Sequence, residues 1–222
     1  MTTLFYIFIL FSFFFYVSVT ASSSTSSYDV VIYGATPAGI AAAFSSAREG
    51  SSVLLLHPLQ RIGGMMTNGL GETDSGNKSV IGGLAHDIFL KIGAKYSSSN
   101  PVYVFEPHVS LSVFQELLLE PIVKDKITLV TSVTLSSISI TSGTISSISV
   151  VPTSIAIKAG DVIDWYDDKN VKSYETSYSG KVFLDCTYEG DLLSMAGITV
   201  TYGRESNTTY NEKNAGRLFV PN

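Results

Sequence analysis

The sequence predicts an α/β fold in which a parallel sheet is followed by an antiparallel meander. Three observations carry that prediction. A βαβ pattern opens at Tyr28, where an apolar strand, a glycine turn and a small-residue helix follow one another. The next apolar run, residues 52–56, is continuous rather than alternating, as in a parallel strand covered on both faces. From Ile127 onward the apolar period changes to two, which marks strands with one buried face.

The elements follow in chain order. Residues 4–19 are an apolar run of 16 residues rich in Phe, shorter than the about 20 that span a bilayer. Val19-Thr20-Ala21 offers small residues at a cleavage point, so residues 1–21 read as a secretory signal peptide. A Ser-rich linker at 22–27 and a domain at 28–222 come next, and the chain is expected in the secretory lumen or outside the cell. No Lys or Arg precedes the apolar run, so a membrane anchor over residues 4–19 stays open as the alternative. The sequons Asn77-Lys78-Ser79 and Asn207-Thr208-Thr209 accord with export.

Strand one spans residues 28–33, and a helix runs from about Pro37 to Glu49, where Gly50 stops it. Strand two follows. Residues 61–83 are dense in glycine and read as a long functional loop, with Met65, Met66 and Leu70 arguing against disorder. A helix over 84–92 has Leu84, Ile88 and Ile92 at fourfold spacing, and one over 107–119 opens on Pro107 and carries Leu111, Phe114 and Leu118. Strands are predicted at 127–130, 134–140 and 145–151, the last two joined by a Ser142-Gly143 turn. A polar, aromatic insert at 161–170 precedes a third meander strand at 171–178. Gly180 then reads as a turn into an apolar strand at 182–184.

Composition excludes several classes. With 45% hydrophobic and 15% charged residues among 222, the chain has enough apolar material for a sizeable core and is not disordered. The net charge of -5 and the lack of a basic cluster argue against a nucleic-acid partner. Cys186 is the single cysteine, so neither an intramolecular disulfide nor a thiolate-held iron-sulfur cluster forms within the chain. It reads as a small buried residue, and no metal site is read.

The chemistry concentrates at the first turn. In the pattern G-x-G-x-x-G, Gly34 and Gly39 match the first and third glycines, while Thr36 takes the middle place beside Pro37 and Ala38. Such a turn sets main-chain N–H groups and the positive end of a helix dipole against a pyrophosphate. At the end of strand two, where an acid holds the adenosine ribose, this chain has His57. A neutral imidazole can bond a hydroxyl, and the plainer reading of a polar strand-end residue stands beside it. Arg61 keeps a phosphate-bearing ribose in view.

A second pair, Gly63-Gly64, follows strand two. Here the chain resembles the FAD-dependent oxidoreductases of the glutathione reductase-like fold. The likeness rests on Tyr33 to Ala43, Ile62 to Asp74, Phe105-Glu106-Pro107-His108-Val109, and Asp185-Cys186-Thr187-Tyr188-Glu189-Gly190-Asp191-Leu192. It implies a Rossmann-like sheet whose βαβ unit binds FAD, a three-stranded meander and a return strand. It also implies that Gly34, Thr36, Pro37, Ala38 and Gly39 line the pyrophosphate and that His57 stands at the ribose. Gly63, Gly64 and Met65 would approach the cofactor, Val133 would meet the adenine through its backbone, and Thr187 and Asp191 would lie near the cofactor. For Asp191 a helix N-terminal acid is the competing reading.

Glu72, Asp74, Glu106, His108 and Glu189 are the charged candidates for catalysis, and none forms a constellation in the sequence. The expected activity is flavin-mediated hydride or electron transfer on a small molecule that the sequence does not identify. Members of the family are longer, so the chain reads as an N-terminal part of such an enzyme. A non-catalytic secreted or membrane-tethered fragment and an NAD(P)-binding reductase are the alternatives.

Overall fold

The computed structural model describes residues 26–156 and 174–215, apart from 202, 204 and 214. The leader and the polar insert at 161–170 lie outside the described residues. Strands β1 (Ser26–Tyr33), β2 (Val53–His57), β3 (Ile127–Thr131), β4 (Val133–Thr141), β5 (Thr144–Pro152) and β6 (Thr176–Asp185) form one sheet. Its order is β3-β2-β1-β6-β5-β4. The first three strands and β6 run parallel, whereas β5 is antiparallel to both β4 and β6. The α/β class with a parallel sheet and a meander is therefore the architecture of the protein.

Side-chain alternation sorts the core into two layers. Ile32, Val53 and Leu55 point to the face covered by α1 (Pro37–Arg48), α2 (Gly83–Lys95) and α3 (Pro107–Leu118), where they meet Ile40, Phe44, Ile92 and Phe114. Val31, Tyr33, Leu54 and Leu56 point the other way and pack under Leu135, Ile148 and Val150 of the hairpin. Every residue of β2 is buried, which is why the run lacks alternation. Each such aliphatic side chain contributes about 1.5–3 kcal/mol by leaving water.

The chain passes from β3 to β4 through Ser132, a left-handed residue with φ 59°. That kink turns the hairpin across the sheet. The Tyr33 hydroxyl accepts the Leu135 N–H at 3.2 Å, and the Thr153 hydroxyl donates to the Pro58 carbonyl at 2.8 Å. At the opposite end of the sheet, Asp29 ties β1 to its neighbours, accepting from the Ser52 N–H at 2.8 Å and from Lys181 at 2.7 Å. The Lys181 ammonium and the Ser52 donors hold its carboxyl well below the usual carboxylate range.

Three expectations need correction. Strand β1 begins at Ser26, because Ser26 and Ser27 pair with Tyr178 and Ser179, so the end of the serine linker belongs to the sheet. Gly180 is not a turn. It pairs with Tyr28 inside β6, and a Cβ there would come within 2.6 Å of Val31 Cγ2, so close approach explains the glycine. The third meander strand and the return strand are consequently one strand, which pairs with β5 over residues 176–179 and with β1 from Tyr178 to Asp185. Finally, of the three apolar residues read as ordering the 61–83 loop, Met66 packs against the core, whereas Met65 and Leu70 are 55% and 38% exposed. Thr67 is buried and donates to the Ile62 carbonyl, and Ser110 of α3 donates to the Met66 carbonyl at 2.6 Å. No helix among the described residues is long and apolar enough to cross a membrane.

Candidate functional site

Between the end of β1 and the start of α1 the chain reverses through Gly34, Ala35 and Thr36 at the C-terminal edge of the parallel strands. Gly34 has φ 105°, and a Cβ on it would lie 2.7 Å from the Cys186 carbonyl carbon and the Thr187 nitrogen. A Cβ on Gly39 would overlap the Gly34 carbonyl oxygen. Both glycines thus allow backbone to pack on backbone.

Thr36 stands where the pattern has its middle glycine, and its hydroxyl gives the residue a specific task. It caps α1 by accepting the Gly39 N–H at 3.3 Å and donates to the Cys186 carbonyl at 2.7 Å. Pro37 then fills the first helical position, where no N–H is needed. Among the described residues, the N–H groups of Thr36 and Ala38 have no protein acceptor. Free donors at a helix N-terminus suit an anion.

Ala35 joins the two glycine segments. Its carbonyl accepts the Gly63 N–H at 2.7 Å, and its N–H donates to His57 Nδ1 at 3.1 Å. His57 is buried, and its Nε2 is covered and has no hydrogen-bond partner. Burial holds the imidazole below its ordinary pKa; the Arg61 main chain opposes the shift without forming a hydrogen bond to Nε2.

The loop after β6 forms the third wall. Asp185 organises it as an Asx turn: one carboxylate oxygen accepts the Thr187 N–H at 2.9 Å and its hydroxyl at 2.7 Å, while the other accepts the Leu193 N–H at 3.0 Å. Thr187 in turn accepts the Gly190 N–H at 2.8 Å. Tyr188 reaches across to accept the Met65 N–H at 3.0 Å, and a Cβ on Gly64 would overlap its hydroxyl. Asp191 opens a short helix, Asp191–Met195. Partial burial, with Glu189 and Asp185 nearby, pushes its carboxyl up. The shift is opposite to the one a helix dipole would produce.

These three walls enclose a cavity of about 650 Å³ lined by Gly34, Thr36, His57, Gly64, Met65, Thr187 and Asp191 among others. Gly39 and Gly63 support the turns from behind. Val133 lies elsewhere: it pairs with Pro152 and packs against the hairpin layer. Of the charged candidates, Glu189 lines the cavity, whereas Glu72, Asp74, Glu106 and His108 do not. Cys186 is a free, half-buried thiol whose pKa burial pushes up, with Asp185 adding to the shift, and its main chain rather than its sulfur shapes the turn. Asp185, Tyr188 and Ala35 are site-building residues that the sequence reading passed over. Asp185-Cys186-Thr187 carried an Asx-turn signal, but nothing local announces a tyrosine that meets a main-chain N–H 123 residues away.

The strand, glycine turn and capped helix, with a cavity at the carboxyl edge of parallel strands, define a dinucleotide-binding α/β protein. Residues 29–221 match the family model described as FAD dependent oxidoreductase, and the chain belongs to that family. Its dinucleotide is FAD. No curated protein matches the sequence. Among solved structures, Thermovibrio ammonificans THI4 aligns with 78% of this chain and 64% of its own, at 17% identity and a TM-score of 0.51. OxyS anhydrotetracycline hydroxylase of Streptomyces rimosus aligns with 81% of this chain and 35% of its own, at 13% identity and a TM-score of 0.48. The chain thus spans less than two thirds of either. The THI4 likeness shows a shared fold.

Proposed function

We propose that this chain holds FAD in the cavity between its two glycine turns and the 187–191 loop, as part of an oxidoreductase acting on a small molecule. The observation that carries the reading is the pair of N–H groups at Thr36 and Ala38, which open α1 with no protein acceptor among the described residues, Thr36 itself lining the cavity. The residues fit the cofactor: a capped helix terminus for the pyrophosphate, main chain without side chains at Gly34 and Gly64, and mostly apolar walls. Bound FAD supplies hydride and single-electron transfer, and the protein orients it and excludes water. In this reading Thr36 to Gly39 hold the pyrophosphate, Gly64 and Met65 offer main chain, and Thr187 and Asp191 line the far wall. A ribose contact from His57 Nε2 requires the cover over that nitrogen to move, and an adenine contact at Val133, which is outside the cavity lining, would have to be made through main chain.

Titrating the purified chain with FAD and following the quenching of flavin fluorescence tests the reading. Saturable uptake is expected. A folded chain that takes up no FAD would overturn it. Export rests on the leader and, more weakly, on the two sequons, and N-terminal sequencing of chain recovered outside the cytosol is expected to begin at Ser22.

A further inference from the structure

We propose that His57 is a latch that sets the first glycine turn in its cofactor-binding form, and that it does so only as the neutral imidazole. The geometry carries the assignment. Nδ1 accepts the Ala35 N–H at 3.1 Å, while the Ala35 carbonyl accepts the Gly63 N–H at 2.7 Å. One peptide unit on each side of Ala35 is therefore fixed, the first by His57 and the second by the second glycine pair. An imidazole that accepts through Nδ1 carries its proton on Nε2, and Nε2 is buried without a partner. Protonation would place a second N–H at Nδ1, pointing at the Ala35 N–H. The bond would become a repulsion, and Ala35 would have to turn away from His57.

Only the Arg61 main chain favours a charge on the ring, and burial outweighs it. The β1–α1 turn brings no ionisable side chain, and the only one in α1, Arg48, lies at the far end of that helix. Thr131 stands beside His57 in register on β3. The Arg61 guanidinium is directed to the Thr67 carbonyl at 3.2 Å. Glu189 and Asp191 line the same cavity from the 187–191 loop, yet the causes acting on His57 are burial and the Arg61 main chain. The sign follows. A histidine whose folded form resists protonation stabilises the protein fully above its ordinary value of 6.5, and that contribution is lost as the pH falls below it.

The role differs from that of a ribose ligand, since it acts on the turn through Ala35. It rests on the flavin reading only for its binding readout. The experiment follows FAD affinity and, separately, hydrogen exchange of the Ala35 amide in the FAD-free full chain, both between pH 8 and pH 5. In the wild type the Ala35 amide is expected to lose protection in acid, and FAD affinity to fall by about tenfold per pH unit once the latch titrates. His57→Asn places an acceptor where Nδ1 stands and cannot titrate, so whatever its affinity at pH 8 it is expected to lack the acid limb and to keep the Ala35 amide protected in acid. His57→Leu is expected to bind at least tenfold more weakly at every pH. An acid limb unchanged in His57→Asn, or an Ala35 amide indifferent to pH in the wild type, would overturn the latch. A chain that takes up no FAD but shows the Ala35 transition would overturn the flavin reading and support the latch.

Discussion

Replacing Thr36 by valine removes one hydroxyl and keeps the shape. The consequences can be worked from the two bonds that hydroxyl makes. The Gly39 N–H loses its cap, which typically costs about 1 kcal/mol. The Cys186 carbonyl, held at 2.7 Å by the same hydroxyl, loses its partner at a site where Thr36 is 4% exposed, and an unpaired buried acceptor costs about 1–3 kcal/mol. The sum is about 3 kcal/mol. For a chain of this size that corresponds to a fall in Tm of roughly 6–12 °C. Thr36→Ser retains the hydroxyl and both its bonds and is expected to lose only about 1 kcal/mol, for the one buried methyl group removed. Urea or thermal unfolding of the three purified chains checks the series. A Thr36→Val chain as stable as the serine variant would refute the view that threonine replaces the middle glycine because its hydroxyl caps the helix and clasps the loop after β6.

Gly39→Ala drives a methyl group into the Gly34 carbonyl and is expected to cost about 1–3 kcal/mol and to abolish FAD uptake, whereas Gly50→Ala, in open space at φ 102°, should lose about 1–2 kcal/mol from backbone strain alone and keep the uptake. Tyr33→Phe strips the acceptor from the Leu135 N–H, so calorimetry should record a loss of about 1–2 kcal/mol; an unchanged Tm would mean that apolar packing alone holds β4 over the sheet. Ser132, left-handed at φ 59°, should tolerate glycine, while valine there is expected to cost about 1–2 kcal/mol in urea unfolding.

Local signals were read correctly where the structure depends on neighbours in sequence. The first strand, the capped helix and the apolar run of β2 follow from periodicity and from Pro37 and Gly50, and the Ser142-Gly143 turn has the two left-handed residues, φ 51° and 77°, that a tight hairpin needs. Glycine was the ambiguous residue. Gly180 looks like a turn in the sequence because a glycine between two apolar runs usually is one, but here it makes room for Val31 across the strand pair. Thr36 looked like a defect in the phosphate pattern, since its worth depends on the Cys186 carbonyl 150 positions later. The cavity divides the same way: its glycine turns and the Asp185 Asx turn are local, whereas the Tyr188 to Met65 and Ala35 to His57 bonds join distant segments. Of Met65, Met66 and Leu70, only Met66 packs against the core, because apolar content says that a loop has a surface to pair and not which residue makes the contact.

The clasp between Thr36 and Cys186 also has a bearing on how the protein is made. The β1–α1–β2 unit can gather as soon as it leaves the ribosome, but the carbonyl that the Thr36 hydroxyl needs is encoded 150 residues downstream. At translation speeds of 5–20 residues per second, roughly 8–30 s pass before that partner exists. During that interval Gly34 lacks the Cys186–Thr187 backbone that packs on it, β1 has an open edge where β6 will pair, and a flavin arriving early would meet only part of its cradle.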